Sequence, residues 1–232
     1  MEYLLLSIKK AILLLAGFDP EIARIVWTSV WVSAVSIAAA SMLSVPAACL
    51  IAAGRFPGKR VVITALNTLM SLPTVVAGLL VYSFFCRRGV FGGFGILYTP
   101  LAMIIGQTIL AFPIITGLTV AALEGADPMI TRTARTLGAT GLRPMVTLAR
   151  EMRLAILAAV VAGFGRIFAE IGVSMMLGGN IKHYTRNITT AIAFETGKGE
   201  FSLGLALGGV LLACAFVINM FFQGLRRSYE VV

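Results

Sequence analysis

Few side chains in this sequence are placed to do chemistry, and the most conspicuous are two opposite charges inside an apolar segment. Arg166 and Glu170 stand four residues apart in GFGRIFAEIGVSMML. On a helix that spacing puts both on one face, within reach of each other. An arginine at the centre of a membrane helix costs ~2.5–3.5 kcal/mol on insertion scales, so such groups face protein or water. The pair reads as a structural ion pair or as part of a pathway, gate or proton relay. Spacing alone does not choose.

A second set lies in the segment Gly178–Gly199. Asn180, Thr185, Thr189 and Thr190 are interleaved there with Lys182, Arg186 and Lys198. Cations, hydroxyls and glycine-freed backbone N–H groups together suit an oxyanion. The same residues would equally make a solvated loop or a docking surface for an external binding protein.

The third set is basic. Five arginines fall between Arg132 and Arg153, around Gly138, Gly141 and Pro144. Asp127-Pro128 has the form of a helix start, with Asp as N-cap and Pro in the first helical position. The pattern predicts a short helix over Met129–Leu137 that stops near Gly138 and Gly141, and a restart at Arg143-Pro144. Met129, Ile130, Ala134 and Leu137 recur at helical spacing. A short amphipathic helix bounded by turns is suited to a groove on another protein. A basic loop that only obeys the positive-inside rule would share this composition.

Other chemistry is missing from these 232 residues. There is no G-x4-G-K-[ST] phosphate loop, so an ATP site of that type must lie on another polypeptide. No Ser/His/Asp arrangement or paired-carboxylate site is recognisable. Cys49, Cys86 and Cys214 are scattered in apolar context, and His183 is the only histidine. We expect no metal, no cofactor on this chain and no catalysis. The net charge of +9 belongs to membrane-flanking loops rather than to a nucleic-acid surface.

The elements that must position these groups follow from hydropathy. Charged residues make up 12% of the chain, against about 25% in soluble domains. No charge or histidine occurs in 25–54, 61–86, 89–123 or 201–225. Each run exceeds the ~20 apolar residues that cross a bilayer core. Together with the segment holding Arg166 and Glu170 they predict five helical spans, near 25–53, 61–85, 99–122, 154–177 and 203–225. Backbone groups in lipid must be satisfied within the segment, which requires helices. Pro46, Pro73 and Pro113 should kink or unwind theirs. Residues 1–20 are too short to span and carry Lys9 and Lys10 inside the apolar run, so an interfacial helix is expected. Gly204 and Gly208 in the last span have the spacing of a close helix contact, such as a dimer seam.

Five spans place the loops 54–60 and 124–153 and the tail after 225 on one side, with ten Lys and Arg. The other side has eight, diluted by Glu2, Asp19, Glu21, Glu195 and Glu200. The rule for basic loops then predicts an outside N-terminus and a cytoplasmic C-terminus. The whole of 1–232 reads as one transmembrane domain, with 124–153 as its longest cytoplasmic loop.

The loop segment TARTLGATGLRPMVTLA resembles the cytoplasmic EAA loop of ATP-binding-cassette (ABC) importer permeases. Arg132-Thr133-Ala134 stands at the Glu-Ala-Ala position, followed after three residues by Gly138-Ala139, with Leu148 at the later apolar position. Arg132 replaces the acid of that pattern, and Arg150-Glu151 replaces its Leu-Pro. LPTVVAGL at 72–79 and FGRIFAEIGVSMMLGGNIKHYTRNITTAIAFETGKGEF at 164–201 are similar to the permeases of molybdate, tungstate and sulfate importers, and most like tungstate permeases. The resemblance implies an all-α polytopic fold of type I ABC-importer form in a prokaryotic inner membrane. It implies a second copy of the chain, a dimer of ATPase subunits carrying ATP and Mg, and an extracytoplasmic substrate-binding protein. It assigns Asp127, Arg132, Ala134, Leu137, Gly138 and Ala139 to ATPase coupling, and makes tungstate the expected cargo. Molybdate, sulfate or an autonomous secondary anion carrier are the alternatives.

Overall fold

The computed structural model describes residues 20–54 and 56–230, with side chains to residue 224. The expected interfacial helix therefore falls, Pro20 aside, outside the described residues. Ten α-helices follow one another among the described residues: α1 Pro20–Ala53, α2 Lys59–Met70, α3 Thr74–Phe85, α4 Pro100–Glu124, α5 Pro128–Thr136, α6 Arg143–Glu151, α7 Arg153–Phe168, α8 Gly172–Gly178, α9 Ile188–Gly197 and α10 Phe201–Glu230. No strand is present among them.

Three of these helices are long and apolar enough to cross a membrane unaided: α1, α4 and the Phe201–Gly224 part of α10. The other two expected spans are broken. α2 and α3 meet at 103°, and α7 and α8 at 60°. The first break has a local cause. Pro73 lacks an N–H and disfavours helical backbone at Leu72, so α2 closes with Ser71 and Leu72 N–H bonded to Thr68 and Leu69 carbonyls. Pro46 and Pro113 do not unwind their helices. Both lie inside α1 and α4, which remain continuous helices. Pro113 is buried in the bundle, whereas Pro46 is exposed.

The α1–α4 contact organises the bundle. Ser29, Ser33, Ser36, Ala40, Ser44 and Ala48 form one buried stripe of α1, and small residues at this spacing let two backbones approach. Thr108 Oγ1 donates to the Ser36 carbonyl at 3.3 Å, and Ser44 Oγ donates to the Phe112 carbonyl at 3.2 Å. The two helices thus run side by side in the same direction. At their C-terminal ends Lys59 closes the contact. Its Nζ donates to the carbonyls of Ala52 and Gly54 and pairs with Glu124 at 2.9 Å, a cation where helix carbonyls are unsatisfied.

At the opposite end α8 is wedged between α3 and α4. Gly78 and Gly106 make the room: a Cβ on Gly78 would lie 3.3 Å from the Val173 Cα, and one on Gly106 would lie 2.4 Å from Leu177 Cδ1. Tyr98 N–H bonds the Leu177 carbonyl at 2.8 Å. The segment after α8, expected as an open loop, instead folds inward as α9, whose first residues Ile188, Thr189, Thr190 and Ala191 are buried. Asn187 caps it, accepting from Thr190 N–H while Thr190 Oγ1 accepts from Asn187 N–H. Gly204 packs on α9 beside Thr196, whereas Gly208 faces open space.

Candidate functional site

The basic loop forms a helical hairpin. Asp127 Oδ1 accepts from Met129 N–H at 2.8 Å and starts α5. Its end is a Schellman turn: Gly138 N–H bonds the Arg135 carbonyl, Ala139 N–H bonds the Ala134 carbonyl, and Gly138 has φ +90°. That left-handed position is natural only for glycine. Gly141, at φ +62°, turns the chain again into α6. Ala134 and Leu148 are buried where the two short helices meet. The expected apolar face is split by this packing. Ala134 turns inward, whereas Met129 and Leu137 are 61% and 83% exposed, next to the exposed Arg132. The hairpin thus leaves an apolar tip flanked by arginines exposed.

Arg166 and Glu170 meet as their spacing requires, Nη1 to Oε2 at 2.8 Å. Their surroundings differ. The Glu170 side chain is 3% exposed and that of Arg166 is 40% exposed. The second carboxylate oxygen of Glu170 accepts from Val173 N–H at 3.2 Å. One side chain thus anchors an intramembrane arginine and satisfies the first turn of α8 beyond the break. Ala158, Ala162 and Gly165 share the exposed side of α7 with Arg166, and Ala169 follows at the helix end, so the guanidinium stands out from a surface of small residues.

The break itself is crowded. A Cβ on Gly172 would lie 3.1 Å from both Thr74 Oγ1 and Val75 Cγ2, and 3.2 Å from Glu170 Oε1. The start of α3, within LPTVVAGL, therefore abuts the start of α8. The two broken spans meet at their breaks.

Thr189 joins the far segment to the same place, donating to the Glu170 backbone carbonyl at 2.8 Å. Thr185 is also committed internally. Its hydroxyl donates to the Gly178 carbonyl and accepts from Ile181 N–H. These hydroxyls hold backbone rather than face outward. Asn180 has φ +51° and a buried Oδ1 with no hydrogen-bond partner. Lys182 pairs with Glu21 at 2.7 Å, Arg186 reaches Glu21 and Glu195 at 3.4 and 3.5 Å, and Lys198 reaches Glu195 at 3.4 Å. These charges border a cavity of about 300 Å³ closed by Ile25, Leu203 and Leu207.

Several participants escaped the sequence reading. Glu195 had a readable signal, since Lys198 follows three residues later at the helix end. Glu21, Ser29 and Thr74 had none. Ser29 Oγ accepts from Ile188 N–H at 2.7 Å across 159 positions, a separation that no local pattern reports.

A polytopic helical bundle with two broken spans and a helical hairpin is the fold of the membrane subunits of ABC importers. A chain of the MetNI methionine ABC transporter in inward-facing conformations superposes with TM-score 0.73 at 20% identity, covering 90% of this chain and 95% of that one. A chain of a bacterial alginate ABC transporter, in complex with its alginate pentasaccharide-bound periplasmic protein, gives 0.74 at 18%, covering 94% and 82%. The chain belongs to the family of binding-protein-dependent transport system inner membrane components, which matches residues 40–231. Its relatives include the tungstate uptake system permease protein TupB of Peptoclostridium acidaminophilum, 39% identical over 98% of this chain and 100% of that one. TupB of Campylobacter jejuni is 36% identical over 98% and 95%. The molybdenum transport permease ModB of Escherichia coli is 29% identical over 84% and 93%.

Proposed function

We propose that this permease moves an oxyanion, tungstate, into the cell. The observation that carries the substrate is identity of 36–39% to two tungstate uptake permeases along nearly the whole of each chain, against 29% for the molybdenum permease. Two copies of the chain would enclose the pathway. An ATPase dimer, holding ATP and Mg, would seat on the two α5–α6 hairpins, and an external binding protein would deliver the anion at the opposite face. The hairpin is then cytoplasmic, as is the C-terminus, and the N-terminus lies outside an inner membrane.

In this reading Met129, Leu137 and Arg132 are the contact to the ATPase, while Asp127, Ala134, Gly138 and Ala139 shape the hairpin that carries them. Nucleotide binding and hydrolysis need only favour different permease conformations to drive alternating access. Arg166 is the cation at the pathway wall, held by Glu170. Lys182, Thr185 and Thr189 shape the face that meets the binding protein, through internal bonds and the Glu21 pairing, and Asn180 shapes it through its left-handed turn.

The test is tungstate accumulation in vesicles holding the permease, its ATPase and the binding protein. ATP-dependent uptake that molybdate and sulfate compete weakly is the expected result. Uptake by the permease alone would make the chain a secondary carrier, and stronger competition by molybdate would reassign the cargo.

A further inference from the structure

A large, strongly apolar cavity lies away from the pathway residues just described. It measures about 640 Å³ and sits between the last turns of α1 and the elbow joining α6 to α7. Val45 and Cys49 of α1 face Met145 and Val146 of α6 across it, and Arg150 and Arg153 complete the lining at the elbow. Both arginines are exposed. Glu151 is adjacent in sequence but does not line the cavity. The volume lies within the ~300–1,000 Å³ of small-molecule sites.

A soluble anion would be poorly served by these walls, and a purely apolar ligand would have no use for two guanidiniums. The lining matches a molecule that is hydrocarbon at one end and anionic at the other. Its depth agrees. Val45 and Cys49 lie within the last nine residues of α1, next to the helix end that Lys59 and Glu124 fasten. The arginines thus stand at the membrane boundary and the apolar wall extends inward. Basic pockets between membrane helices hold anionic lipid headgroups through the same charge complementarity.

We propose that this groove is a binding site for one anionic phospholipid, its phosphate held by Arg150 and Arg153 and an acyl chain laid along Val45, Cys49 and Val146. The site needs the membrane reading alone, not the importer reading. The lipid stands between α1 and the α5–α6 hairpin and braces one against the other.

The intact importer complex is delipidated in neutral detergent, then titrated with dioleoyl-phosphatidylglycerol and followed by native mass spectrometry. One retained lipid is expected per permease chain. The double variant R150Q/R153Q should weaken it by about five-fold per charge removed, from ~1 kcal/mol per basic residue, and R150K/R153K should keep it. Phosphatidylcholine with the same tails should bind weakly and equally to wild type and R150Q/R153Q. Cys49→Trp, which fills the groove without changing charge, should abolish retention. Unchanged affinity in R150Q/R153Q or in C49W would overturn the site, as would displacement of the lipid by inorganic phosphate. So would protection of Cys49 from a thiol reagent, in a Cys86→Ser, Cys214→Ser background, that appears only when the ATPase is bound, since a protein would then fill the groove.

Discussion

The Thr189 hydroxyl donates to the backbone carbonyl of Glu170 at 2.8 Å, across 19 positions. It fastens α9 to the break between α7 and α8, where the same glutamate holds Arg166 and caps α8. The far face and the intramembrane ion pair are therefore one mechanical unit.

Removing that hydroxyl leaves a buried acceptor without its partner. Thr189→Val should cost about 1–3 kcal/mol, read as a lowered unfolding temperature in detergent. Thr189→Ser should recover most of it. Equal stability of the valine and serine variants would show that the bond carries no weight.

The ion pair separates structure from transport. Glu170→Gln strands Arg166 and weakens the cap on α8. Its cost should stay below the ~3–5 kcal/mol of a fully buried broken pair, because Arg166 is 40% exposed. Neutralising both, as R166Q/E170Q, should be less destabilising than E170Q alone in a double-variant cycle. R166Q alone would strand the buried Glu170 carboxylate, so the pathway role is read from R166Q/E170Q. If Arg166 serves the pathway, that double variant should assemble yet lose most tungstate uptake. Full uptake by R166Q/E170Q would reduce the pair to a structural brace.

Gly138 tests the hairpin. Nothing stands within 4 Å of a Cβ placed there, yet its φ is +90°, so the cost of Gly138→Ala is conformational, about 1 kcal/mol. A β-branched residue is worse still, and Gly138→Val should abolish ATP-coupled uptake while the chain remains inserted. Leu137→Asp should leave stability unchanged, because Leu137 is 83% exposed, but should lose the ATPase in a mild-detergent pull-down. Retention of the ATPase by both variants would place the contact elsewhere.

Orientation has a direct readout. In a chain with Cys49, Cys86 and Cys214 changed to serine, Thr140→Cys should react with an impermeant thiol reagent only after the inner face is opened. Tyr184→Cys should react in intact cells. The reverse pattern would invert the topology.

Hydropathy and local chemistry were sufficient for much of this protein. Long uncharged runs determined the membrane class and the approximate limits of four spans, because lipid permits only internally bonded backbone. Three of those spans are single helices in the structure and one is a bent pair. The start of α5 at Asp127-Pro128, its stop at Gly138 and the Arg166–Glu170 pair were also legible, since each joins residues no more than a few positions apart. Pro73 and Pro113 look alike in sequence, yet α3 begins after one while α4 runs through the other. The local sequence does not report that difference. Only tertiary structure brought Thr74 beside Gly172, Thr189 onto Glu170, Glu21 onto Lys182 and Ser29 onto Ile188. It also divided the face of α5, burying Ala134 and leaving Leu137 exposed. The physical reason is range. Helix periodicity and caps act over three or four residues, whereas these contacts form only when whole helices pack, and which partner each polar group finds is set by that packing.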